Sequence, residues 1–272
     1  MSAIHIMCVS HRIIASTSHY TTLLPACKFP PSESLPGDSR KAIFRDFQNA
    51  IIILMPSKHS IKEYEPGAYY HIYNRGVEKR TIFQNEADYK TFLGYLHLYL
   101  TSPDLPGDSR KARPISKPLK NYTQNISLQS YCLMPNHFHL FVRQKEYDDI
   151  SHFMRSLMSE YVRYFNTKYD RIGSLFQGPY KAVKVVSEQQ WVYLTKYIHR
   201  NPLDLSPFRE TPGRLNEYKY SSYQNYLGLF QQSWVNTVDI LDHFSNSSIK
   251  YQKFVEDADE ITPIYKVALD YD

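Results

Sequence analysis

The sequence predicts an α+β fold: a ferredoxin-like or RRM-like antiparallel sheet with helices packed on one face, flanked by an N-terminal extension and a helical C-terminal tail. Three observations predict it. From Tyr64 onward the apolar spacing switches between the period of a strand and that of a helix. The segments run in the order β-α-β-β-α-β-α, and the second and third strands are separated only by a tight turn.

Taken in order, Tyr69 to Asn74 is rich in β-formers and stops at Arg75-Gly76, a strand followed by a turn. Asn85 to Leu100 sets Tyr89, Leu93, Leu96 and Leu100 at helical spacing. Residues 102 to 121 hold four prolines and many charges, which predicts a loop. Ile126 to Leu133 and His139 to Arg143 read as strands joined by Met134-Pro135-Asn136. Ile150 to Tyr169 is a long helix with Phe153, Leu157, Tyr161 and Phe165 on one face. Tyr180 to Val186 is a fourth strand, and Glu188 to Arg200 a helix stopped by Asn201-Pro202. These elements set the domain limits: a poorly structured extension over 1–60, the main domain over 61–230, and a helical tail over 231–272.

Composition bounds the function classes. The 272 residues carry 42% hydrophobic and 22% charged side chains, enough for an ordinary core. A net charge of +5 is compatible with a polyanionic partner without requiring one. The 24 Tyr, 14 Phe and 2 Trp exceed ordinary usage, and stacking on unpaired bases is one use for such a surplus. Three cysteines without a CxxC pair argue against a disulfide scaffold. The longest apolar run, Ala50 to Met55, is far too short for a membrane span, and the stretch after Met1 does not resemble a signal peptide. These features point to a cytoplasmic protein with no membrane partner.

Two constellations can carry chemistry. In His137-Phe138-His139, side chains two apart on a strand share a face, so two imidazoles can share a metal ion while Phe138 packs behind them. Two polar residues at a sheet surface give the same pattern. In Tyr197-Ile198-His199-Arg200-Asn201-Pro202, Tyr197 and Asn201 are helical neighbours along one edge of the stripe formed by Trp191, Leu194 and Ile198. A tyrosine there can point across the sheet at such a metal, and Asn201 can add an oxygen ligand. Tyr193, one turn earlier, competes for the role. His199, on a different face, reads as exposed or as a DNA contact.

Met134-Pro135-Asn136-His137-Phe138-His139, then Gly173-Ser174-Leu175-Phe176-Gln177-Gly178, then Tyr197-Ile198-His199-Arg200-Asn201-Pro202 resemble, in that order, the REP-associated tyrosine transposases. These are single-tyrosine HUH enzymes related to small insertion-sequence transposases. Tyr70-His71-Ile72-Tyr73-Asn74-Arg75-Gly76 is similar to the family's opening strand, and Tyr220-Ser221-Ser222-Tyr223 to its C-terminal motif. The resemblance spans about Tyr64 to Gly228. It implies His137, His139 and Asn201 as ligands of Mg²⁺ or Mn²⁺, and Tyr197 as a nucleophile that leaves a 5′-phosphotyrosine. The implied partner is single-stranded or hairpin DNA, bound by a monomer or homodimer. Arg75, Lys79, Arg80, Arg171, Lys181 and Lys184 are the DNA-phosphate candidates. A non-cleaving hairpin binder descended from a transposase is the alternative. A hydrolytic zinc enzyme is a third reading, which leaves Tyr197 and Asn201 without a task.

Residues 1–54 differ in composition from the remainder of the chain, and Met55 lies just before the family-like segment, so these residues are expected to be a translated upstream region. Leu35-Pro36-Gly37-Asp38-Ser39-Arg40-Lys41-Ala42 recurs identically at 105–112. Codons for this octapeptide can form an imperfect inverted repeat, which predicts translated repeat DNA at both places.

Overall fold

The computed structural model describes residues 6–8, 11–13, 64–102, 120–209 and 212–257. The chain divides into two units, Met1–Arg45 and Asp46–Asp272. In the first, β1 (Ile6–Cys8) and β2 (His11–Ile13) form an antiparallel pair. The rest of the expected extension over 1–60, the region ending at residue 54 apart from these strands, and both octapeptide copies lie outside the described residues.

The second unit has the predicted order: β3 (Tyr69–Arg75), α1 (Glu86–Leu100), β4 (Ile126–Met134), β5 (His137–Gln144), α2 (Asp149–Lys168), β6 (Lys181–Val185) and α3 (Glu188–Arg200). The four strands lie in the order β4-β5-β3-β6 with every neighbour antiparallel. That is the ferredoxin-like arrangement: two βαβ crossovers interleave, so the first and third strands of the set take the centre. Short helical turns then lead to α4 (Ser248–Glu256) within the tail. Among the described residues no helix is long and apolar enough to cross a membrane.

One expectation is corrected. Helices cover both faces of the sheet, not one. Tyr70, Ile72, Phe138, Leu140 and Val142 pack on one face with Phe92 and Leu96 of α1 and Phe153, Leu157 and Tyr161 of α2. Tyr69, Cys132, Met134 and Phe141 pack on the other with Leu194, Tyr197 and Ile198 of α3 and Tyr251 of α4. The physical reason lies in the central strands. From Phe138 to Val142 every residue of β5 is buried, so both faces carry apolar side chains and both need cover.

Local chemistry fixes the helix ends. Asn85 and Asp88 form a reciprocal capping box at the start of α1, and Ser187 caps α3 through the Gln190 amide. Asp88 does more than cap. Its buried carboxylate accepts from the Gln84 amide at 2.7 Å, Lys168 Nζ at 2.6 Å, Tyr169 Oη at 2.7 Å and Tyr164 Oη at 3.0 Å. Burial would raise its pKa, but these donors, Lys168 foremost, hold it below the ordinary value. The carboxylate thereby ties the start of α1 to the end of α2. Asp88→Ala is expected to cost about 2–4 kcal/mol, because several donors lose their acceptor at once. Urea denaturation would register this as a lower midpoint with an unchanged slope.

Candidate active site on the α3 face of the sheet

Three segments distant in sequence meet at the end of β3. The Gly76 amide donates to the Asn136 carbonyl at 2.8 Å, the Val77 amide to Leu175 at 3.0 Å, and the Gln177 amide to the Arg75 carbonyl at 2.9 Å. A side chain at Gly76 would collide with the Arg80 carbonyl and the Ile82 side chain, so this close crossing requires glycine. β5 begins at His137, two residues earlier than the sequence pattern indicates, and this puts both histidines on the strand. They share a face, their ring centroids 5.1 Å apart, while Phe138 packs behind them against Phe92 and Phe176.

Tyr197 and Asn201 reach the same place from α3 and the turn after it. The Tyr197 ring meets His139 edge-to-face at 5.4 Å, and both side chains are buried. The Asn201 amide nitrogen donates to the Tyr197 carbonyl at 3.0 Å, which turns its oxygen toward His137 Nε2, 3.4 Å away. Tyr193, the competing tyrosine, faces away and packs on Phe254 of α4. Burial drives the Tyr197 hydroxyl far above the ordinary phenol pKa; the Asn201 side chain opposes that rise and Asp204 adds to it.

Burial also pushes His137 down to about 4 and His139 well below the ordinary imidazole value. Both rings are therefore neutral at pH 7, each with one proton and one lone pair. His137 Nδ1 lies 2.6 Å from the Asn136 side-chain oxygen, an acceptor that claims the proton. Its Nε2 lone pair then faces the lone pairs of Asn201 Oδ1, acceptor to acceptor. Buried His139 Nε2 makes no hydrogen bond, although Asn201 lies near enough to oppose the depression of its pKa. Two imidazole nitrogens and an amide oxygen with no proton to share suit a divalent cation. Among the described residues no group of three His, Cys, Asp or Glu could hold a metal.

Residues 112–201 match the family model described as Transposase IS200 like. Over that span the chain is similar to the IS200-like transposases. No curated protein matches the chain. A solved structure of a REP-associated tyrosine transposase bound to a REP hairpin is similar at 11% identity and a TM-score of 0.44, covering 66% of this chain and 98% of that one.

The candidate site gathers only some of the cations expected to face DNA. Arg75, at the end of β3, lies close enough to lower the pKa of both His137 and His139, and its Nε is buried without a hydrogen-bond partner. Lys181 stands opposite Tyr73 in the β3–β6 ladder, hence on the histidine face. Lys79 and Arg80 lie in the turn after β3, where Arg80 Nε donates to the Val77 carbonyl at 3.2 Å and its Nη2 pairs with Glu78. Lys184 stands opposite Tyr70, on the face away from the histidines, ion-paired to Glu65. Arg171 is also set apart: it lies over the Phe165 ring of the α1–α2 core at 5.8 Å, with Nη1 3.4 Å from Asn166 Oδ1.

Two features of the candidate site were not anticipated from the sequence. His71 is buried beside His139, and Tyr73 lies against both rings, tilted on His71 at 5.0 Å and stacked on His139 at 6.1 Å. The signal in the sequence was the period-two row Tyr69, His71, Tyr73 within a strand. His199 is the opposite error. It is buried rather than exposed, held by Tyr251 Oη at 2.7 Å and Ser222 Oγ at 2.8 Å.

Proposed function

We propose that this protein is a transposase that nicks and rejoins single-stranded or hairpin DNA through a covalent bond to Tyr197. The observation that carries the reading is the meeting of the Tyr197 phenol with three lone-pair donors, His137 Nε2, His139 Nε2 and Asn201 Oδ1, inside the IS200-like span. His137, His139 and Asn201 would hold Mg²⁺ or Mn²⁺. A divalent ion there supplies Lewis-acid charge to a phosphate oxygen and to the phenol.

Each residue then has a task. Asn136 claims the His137 proton and points the free nitrogen inward. Tyr197 stays a neutral phenol until substrate and cation arrive, because burial strongly opposes its ionisation. In the transfer step the phenolic oxygen bonds to phosphorus, the bond from phosphorus to the 3′-oxygen breaks, and the phenolic proton is balanced by protonation of that leaving oxygen. The products are a 5′-phosphotyrosine and a free 3′-hydroxyl. One phosphate ester replaces another, so a second 3′-hydroxyl can reverse the step and join new ends. Arg75 and Lys181, on the same face, would hold the flanking phosphates.

The test uses the full-length protein with Mn²⁺ and hairpin DNA labelled on either end. The expected result is a denaturant-resistant protein–DNA band carrying only the label 3′ of the cut, together with a product ending in a 3′-hydroxyl. Cleavage with no adduct would replace this reading with metal-assisted hydrolysis, and hairpin binding without cleavage would replace it with the non-cutting descendant.

A further inference from the structure

His71 is a buried imidazole that neither the ligand set nor the nucleophile uses. It sits on β3, diagonally across the ladder from His139, since Tyr73 is the residue directly opposite His139 and His71 is opposite Phe141. Its Nε2 lies 2.9 Å from His139 Nδ1, and the rings are nearly parallel, 18° apart with centroids separated by 5.1 Å. Tyr73 and Tyr197 enclose the pair, and His71 is only 4% exposed.

We infer that His71 is the positioning residue of this site: it accepts the Nδ1 proton of His139 and so aims the free Nε2 of His139 at the cation. The inference rests on the proposed metal site but concerns a bond between two residues of this chain. One proton lies between the two nitrogens, so there are two arrangements. If His71 donates, His139 carries its proton on Nε2, a buried atom that makes no hydrogen bond in the structure, and cannot bind a metal. If His71 accepts, His139 Nε2 carries a lone pair, as His137 Nε2 does when its proton is on Nδ1. The neighbouring histidine is arranged alike: Asn136 Oδ1 takes the His137 Nδ1 proton at 2.6 Å and leaves Nε2 for the site. Both imidazoles therefore have an outer partner on Nδ1 and an open Nε2. Outer partners of this kind commonly change metal affinity about 10–100-fold on removal.

Two measurements test this. In the metal-free wild-type protein, nitrogen-15 NMR of the imidazoles reads the tautomer directly. The proposal requires His139 to be protonated on Nδ1, and protonation on Nε2 would overturn it whatever the protein does with metal. Titration with Mn²⁺ alone, monitored by electron paramagnetic resonance, then compares variants of unchanged melting temperature. His71→Phe fills the space without an acceptor and is expected to weaken Mn²⁺ binding about 10–100-fold. His71→Gln restores an acceptor and is expected to recover most of it. Equal weakening in both folded variants would make His71 a packing residue and reject the proposal. A wild-type protein that binds no Mn²⁺ would sink the proposed function instead, while the NMR result still decides the role of His71.

Discussion

Under the proposed mechanism, Tyr197→Phe is expected to remove the covalent DNA adduct and to lower strand cleavage by at least about 10³-fold, with the protein still folded and still binding hairpin DNA. The selectivity comes from what the hydroxyl does and does not do. The ring packs on His139 and within the α3 core, and phenylalanine keeps those contacts. The hydrogen bond that orients Asn201 goes to the Tyr197 main-chain carbonyl, so the amide keeps its direction. The attacking atom is lost, together with the contact between the hydroxyl and the Asn201 side chain. Stability therefore changes by about 1 kcal/mol or less. Tyr193→Phe is the matched control: its ring lies against Phe254, and adduct formation should be unchanged. An adduct that survives in Tyr197→Phe, or one mapped by peptide analysis to Tyr193, would assign the chemistry to another residue.

What could be read from the sequence divides along the range of the interactions. The stripe Phe153, Leu157, Tyr161 and Phe165 is buried as its spacing predicts, because helical neighbours are fixed by local geometry. The same holds for the pairs His137/His139, on one strand, and Tyr197/Asn201, on α3 and the turn that continues it. His71 was invisible for the opposite reason. Its partner is 68 residues away, and only the β3–β5 register puts the two rings together. The placement of α3 on the second face also had to come from tertiary structure, since periodicity shows which side of a helix is apolar but not which side of the sheet receives it. The Tyr220–Tyr223 segment completes the pattern. It adds to the edge of β4, through the Leu133 amide to the Tyr220 carbonyl at 2.9 Å and the Ser222 amide to the Tyr131 carbonyl at 3.0 Å. Ser222 thereby reaches His199, so the motif ties α3, the helix that carries Tyr197, to the edge of β4.

That bond sets a second large effect, on stability against pH. His199 lies on α3 between Tyr197 and Asn201, fully buried, and burial lowers its pKa from 6.5 to about 3. The neutral ring joins Tyr251 of α4 to Ser222 across α3. In the unfolded chain it titrates near 6.5, so the unfolded state takes up a proton first as the medium is acidified. The contribution of His199 is thus complete above about pH 6.5 and is lost as pH falls toward about 3. Between about pH 7.5 and 4.5 the loss should be about 2–3 kcal/mol. His71 and His137 are lowered in the same way, to about 3 and about 4, so the wild-type protein loses more than this in total. The variant His199→Gln isolates one share. Glutamine can offer both a donor and an acceptor but does not titrate, so the variant should be somewhat less stable at about pH 7.5 and lose about 2–3 kcal/mol less than wild type on moving to about pH 4.5. Denaturation midpoints measured across that interval give the double difference. Parallel curves for the two proteins would mean that His199 is protonated, or free to leave its pocket, in the folded state. Converging curves would mean that acid acts on the same helix that carries Tyr197 and Asn201, so cleavage should decline with the loosening of α3 before the sheet itself unfolds.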